Sequence, residues 1–126
     1  MALTKTTTIT ALAGNLVVDT ALGATCQNNV TGNSQGTIFL IDVDNTANAS
    51  TFAYVRVRDA SSGDPTDATN GIPTWQFVAA PGTKTSYAFP DGQPYTAGVS
   101  IWCTTNPAHQ NASAPSASVI VKIVAS

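Results

Sequence analysis

The stretch TIFLIDV at residues 37–43, followed by TFAYVRV at residues 51–57, decides how this chain is read. In both runs, apolar and β-branched side chains recur at every second position, the spacing that sends successive residues of a strand to opposite faces. Residues 44–50 (DNTANAS) are turn formers, and two runs joined this way predict an antiparallel pair. Alternation assigns Phe39, Ile41 and Val43 to a core face, beside Ala53, Val55 and Val57. Asp42 and Asp44 then share the other face with Tyr54, Arg56 and Arg58. Opposite charges are expected to meet there, each exposed pair contributing about 0.2–1 kcal/mol.

Working outward, further strands are expected at residues 6–12, 15–20, 74–79, 83–89, 95–104 and 117–124. Pro81-Gly82 and Pro90-Asp91-Gly92 read as turns. In residues 95–104, Val99, Ile101 and Cys103 alternate with Ser100, Trp102 and Thr104, which turns Trp102 outward. Three long polar segments, residues 21–36, 60–73 and 105–115, lack periodicity and read as loops. About eight strands with turn-like connections predict an all-β, two-sheet antiparallel sandwich, jelly-roll-like, occupying residues 1–126 as one domain. No internal repeat and no helix is expected.

Composition agrees with strands and turns. The chain contains 19 Thr, 10 Ser, 9 Asn and 9 Gly, and no Glu, so good helix formers are scarce. Net charge is −2 and only five residues are Lys or Arg, too few to neutralise a phosphate backbone, which argues against a nucleic-acid partner. No apolar run reaches the roughly 18 residues of a membrane span, and Met1-Ala2-Leu3-Thr4-Lys5 lacks an apolar signal core. Synthesis in a cytoplasm and no membrane partner are therefore expected. In that compartment the sequons at Asn29, Asn48 and Asn111 carry no weight.

The motif search favours a non-enzyme. Cys26 and Cys103 are too far apart for a CxxC motif, and cytoplasmic synthesis favours two thiols over a disulfide. His109, the sole histidine, sits in a polar loop with no orienting carboxylate or nucleophile beside it. Two Cys and one His do not cluster as zinc ligands. Asp42 with Asp44, and Asp64 with Asp67, resemble calcium ligands only loosely, and cross-strand pairing and turn chemistry explain both sets. Neither pair has an evident sugar cleft for glycoside hydrolysis. Trp75, Trp102, Tyr54, Tyr87 and Tyr95 fall within strand patterns and read as core or interface anchors, a sugar-stacking platform being the rival. No cofactor and no metal are expected.

At Ala80-Pro81-Gly82-Thr83-Lys84-Thr85, then Phe89-Pro90-Asp91-Gly92-Gln93-Pro94-Tyr95-Thr96-Ala97-Gly98-Val99-Ser100-Ile101 and Thr104-Thr105, the chain resembles small virion structural proteins of tailed bacteriophages. The likeness covers the C-terminal third, with a looser one in the Thr-rich opening after Met1-Ala2-Leu3-Thr4. It implies a capsid cement or decoration protein on the virion surface, with the major capsid protein as partner and a homotrimer as the assembly. The alternative is a receptor- or glycan-binding adhesive domain of a head or tail fibre. Contacts are expected from the loop residues Asn28, Asn29, Asn33, Asp64, Asp67, Asn70 and His109, with Trp102 as an aromatic anchor.

Overall fold

The computed structural model describes residues 2–6, 14–108, 110 and 112–126. Among these, eight strands and no helix are found: β1 (Leu3–Thr6), β2 (Asn15–Leu22), β3 (Gly36–Asp44), β4 (Ala53–Arg58), β5 (Trp75–Ala79), β6 (Lys84–Tyr95), β7 (Ser100–Thr104) and β8 (Val119–Ala125). All pairings are antiparallel, in a five-stranded sheet ordered β1-β2-β8-β3-β6 and a three-stranded sheet ordered β5-β4-β7. The expected strand at residues 6–12 lies almost wholly outside the described residues.

The three-stranded sheet has a fourth, irregular member. Residues 23–30 run along the β7 edge that faces away from β4. Gln27 and Ile101 exchange amide-to-carbonyl bonds of 2.8 and 3.0 Å, Val30 N donates to Val99 O at 2.7 Å, and Cys103 N donates to Gly23 O at 2.8 Å. With that segment included, the four-strand orders β2-β8-β3-β6 and (23–30)-β7-β4-β5 are those of a jelly roll, the chain changing sheets at almost every connection. β1 adds a hairpin strand beside β2.

The core lies between the sheets. Val17, Ile41, Val43, Val121 and Ile123 of the larger sheet meet Val55, Val57, Phe77, Ile101 and Cys103 of the smaller one, all buried. Burying a Val or Ile side chain contributes about 1.5–3 kcal/mol, so this β-branched layer is the main stabilising contact between the sheets.

Several expectations are corrected. The two runs lie in β3 and, from Ala53 onward, in β4, but these strands do not pair: β3 lies between β8 and β6, β4 between β5 and β7, and residues 45–52 cross from one sheet to the other. The crossover is held by Asn45, whose Nδ2 donates to the carbonyls of Thr51 (2.8 Å), Ala79 (3.3 Å) and Ala80 (3.2 Å). The expected Asp–Arg pairs therefore do not form; Asp42 instead accepts from Ser86 (2.6 Å) and sits 3.5 Å from Lys84 Nζ. Phe39 leaves the core layer because a bulge between Ile38 and Leu40 breaks the alternation and turns Ile38 inward in its place. Pro90-Asp91-Gly92 is not a chain reversal but the matching irregularity inside β6, which runs on to Tyr95. Residues 95–104 are consequently split between sheets, Tyr95 ending β6 and Ser100 opening β7.

Candidate functional site

The outer face of the three-stranded sheet is where the long loops gather. Alternation along β4 and β7 sends Tyr54, Arg56 and Arg58 to this face beside Thr104, Trp102 and Ser100, their register partners. A solvated sheet face bearing two arginines would be the ordinary outcome. Here Arg56 and Trp102 are instead fully buried: the carbonyls of Asn106 and Ala108 lie against the Arg56 guanidinium, and Gly63 lies against the Trp102 ring. This corrects the outward placement of Trp102; alternation gave its face, and the overlying loops removed that face from water.

Each loop is fastened to the sheet by a side chain. Arg56 Nη2 donates to the carbonyls of Asn106 (2.5 Å) and Ala108 (2.7 Å). Arg58 Nη1 donates to the carbonyls of Thr69 (2.8 Å) and Ile72 (3.1 Å). Ser100 Oγ accepts the Asn29 amide (3.1 Å) and donates to the Ala60 carbonyl (2.8 Å), joining residues 23–30 to the segment after β4. The arginines thus act as braces that tie the carbonyls of Thr69, Ile72, Asn106 and Ala108 to the sheet.

The expected contact residues fall into three groups. Asn28, Asp64, Asp67 and Asn70 are brought together: Asn28 Oδ1 accepts the Gly63 amide (3.2 Å), and Asp64 N donates to the Asn70 carbonyl (3.0 Å). Asp64 Oδ1 also accepts the amide and hydroxyl of Thr66 (3.0 and 2.7 Å), while Asp67 Oδ1 accepts the amides of Asn70 (2.8 Å) and Thr69 (2.7 Å). Those two amides hold the Asp67 carboxyl below its ordinary pKa. Asn29 and Asn33 stand apart from this cluster, Asn29 at φ 47° with its amide on Ser100, Asn33 with its amide 3.4 Å from Thr31 Oγ1. His109 lies outside the described residues.

Between these loops is an open cleft of about 480 Å³, lined by Thr25, Cys26, Gly63, Asp64, Thr66 and Ala112 among others. Its floor is tight: a Cβ on Gly63 would come within 3.1 Å of Trp102 Cζ3 and 3.2 Å of Cys26 Sγ. Burial raises the Cys26 thiol to about 11, so at neutral pH it is a protonated, weak nucleophile. Cys103 is likewise raised by burial, to about 12, and faces the core on the other side of the sheet. Both cysteines are free. Among the described residues, no three His, Cys, Asp or Glu side chains converge as a metal site, and no helix is long and apolar enough to cross a membrane.

A second exposed feature flanks the loops. Phe52, 46% exposed, stacks on Tyr54 with ring centroids 6.1 Å apart, and Tyr54 stands opposite the exposed Val78 of β5. Sequence reasoning missed Phe52, and it placed Arg56 on an exposed face. The strand periodicity carried the side of the sheet for Arg56, but nothing local encodes which loop covers that side.

Comparison of the chain with protein-family models, curated proteins and solved structures returns no match.

Proposed function

We propose that this protein is a virion structural protein of a bacteriophage, a cement or decoration subunit that binds the assembled capsid through its loop-bearing face. The observation that carries the reading is the braced polar platform formed by residues 23–30 and 60–73. Asn28, Asp64 and Asn70 are exposed there, yet their loops are cross-tied by hydrogen bonds of 3.2 Å from the Gly63 amide to Asn28 and 3.0 Å from the Asp64 amide to the Asn70 carbonyl. A surface ordered before binding loses little conformational entropy on docking, which suits a subunit repeated over a lattice. The jelly-roll strand order is one that viral capsid domains use; that is an analogy of fold, and it supports the reading without fixing the partner. Binding only to the expanded shell would stabilise that state by mass action.

Co-sedimentation of the purified protein with expanded and unexpanded capsids of the phage that encodes it tests this. Retention on expanded shells, weakened by the double variant Asn28→Ala/Asn70→Ala, is the expected result. Equal absence from both kinds of particle overturns the proposal. The exposed Phe52–Tyr54 stack favours a second reading, an adhesive domain that takes up a glycan or receptor against aromatic rings. Retention on host cells that Phe52→Ala abolishes, without capsid binding, would select it.

A further inference from the structure

Arg56 is fully buried, and among the described residues no salt bridge joins it to an anion. The sequence contains no Glu, so its seven Asp are the only acidic side chains. Asp19, Asp42, Asp44 and Asp91 stand on the five-stranded sheet, Asp59 accepts the amides of Thr96 and Ala97, and Asp64 and Asp67 are taken up in turn hydrogen bonds. The ion pair among the described residues is Lys84 with Asp42, in the other sheet. Arg56 Nη2 reaches two carbonyls, but its Nε and Nη1 are buried without a partner. Next to it in register, Trp102 Nε1 is also buried and unpartnered.

Three buried donors on adjacent strands, one set carrying a full positive charge, are the chemistry of an anion site. Burial of a lone guanidinium is unfavourable unless an opposite charge or a full set of acceptors offsets it. The two loop carbonyls supply part of that set. The turn at Asn106, Pro107 and Ala108, whose first and last carbonyls hold Nη2, is itself exposed. A planar, singly charged group that lifted this turn would neutralise Arg56 and could accept from the indole N–H as well.

We propose that the outer face of the three-stranded sheet holds a carboxylate-binding site, with Arg56 as the charged donor and Trp102 Nε1 as its neighbour. The ligand is either a small free carboxylate or a carboxylate borne by a protein partner. The site does not depend on the virion reading, since a free carboxylate would occupy it equally.

NMR of the arginine side chains tests it directly. The chain has two arginines, so an Arg58→Lys variant leaves the Arg56 Nε–H as the one signal of its kind. Acetate serves as the free probe and a blocked peptide with a single glutamate as the protein-borne one, both at constant ionic strength. The expected result is a saturable displacement of the Arg56 Nε–H signal and of the Trp102 indole N–H, with the more potent probe naming the source. A saturable rise in melting temperature with the same probe should be lost in Arg56→Gln. If neither probe moves the Arg56 signal, or if Arg56→Gln retains the full thermal response, the site does not exist. The NMR arm keeps Arg56 intact, so it decides the matter even if Arg56→Gln fails to fold.

Discussion

Asn45 is fully buried where the chain leaves β3, and its amide group donates to three carbonyls while its own oxygen accepts from Asn48 Nδ2 at 2.9 Å. Asn48 extends the network to Ala117, donating to its carbonyl (3.1 Å) and accepting its amide (3.0 Å). Asn45→Ala should therefore destabilise the protein by about 1–3 kcal/mol in urea titration, because buried carbonyls lose their donor. Asn45→Asp should be worse at neutral pH, since it turns a donor into a charge facing carbonyl oxygens. If Asn45→Asp proves as stable as the parent protein, the crossover is not held as described. The sequence showed these residues as turn formers; it did not show that two asparagines would be buried there, because their partners at residues 79, 80 and 117 are remote in the chain. The exposed carboxylates carry a pH signature of opposite kind. Hydrogen bonds from Thr46 lower the Asp44 pKa, and those from Asn70 and Thr69 lower that of Asp67. A depressed native pKa gives stability that is complete above the unfolded value near 3.8 and is lost as pH falls through the native value. The urea midpoint should thus fall on acidification below about pH 4, and Asp67→Asn should flatten that limb.

At the scale of elements, β5 and β6 show how the sandwich treats its edges. β5 is an edge strand, and an open edge invites pairing with another chain. Tyr87 of β6 closes it: the Tyr87 hydroxyl donates to the Val78 carbonyl at 2.5 Å and accepts the Val78 amide at 3.2 Å. Tyr87→Phe should cost about 1 kcal/mol and raise self-association in sedimentation velocity, since both backbone groups would be freed. An unchanged monomer fraction at high concentration would count against the capping role. β6 itself depends on Gly92, which sits at φ 78° where a Cβ would collide with the Thr37 methyl and approach Phe39 Cε1 to 3.2 Å. Gly92→Ala should lose about 1–3 kcal/mol, from the left-handed backbone and the collision together. Pro90-Asp91-Gly92 carries the local signature of a turn, and the same residues serve equally well as a bulge inside a long strand. Only the pairing of β6 with β3 across Gly36, Ile38 and Leu40 selects the second outcome. That is why the position of the irregularity was legible and its meaning was not.

Over the whole molecule, periodicity identified most strands and the all-β class, because alternation is a local property of the chain. Sheet membership is not local: β3 and β4 are neighbours in sequence yet belong to different sheets, and β2 finds β8 at the far end of the chain. The loop face was legible only as polar segments, since its shape depends on Arg56 and Arg58 reaching carbonyls 11 to 52 residues away. Such repeated crossing between sheets has a thermodynamic consequence. Neither sheet is built from a contiguous stretch of chain, and both share one buried layer of Val, Ile and aromatic side chains. The two should therefore unfold together, as a single transition, and fold slowly, on the millisecond-to-second scale typical of non-local β topologies. In a Trp75→Phe variant, Trp102 fluorescence reports on the three-stranded sheet, and far-UV circular dichroism weights the larger one. Coincident urea midpoints from the two probes are the expected result. A Trp102 transition at lower urea than the far-UV transition would mean that the three-stranded sheet and its loops melt as a separate unit, and the shared core would then not be what holds the molecule together.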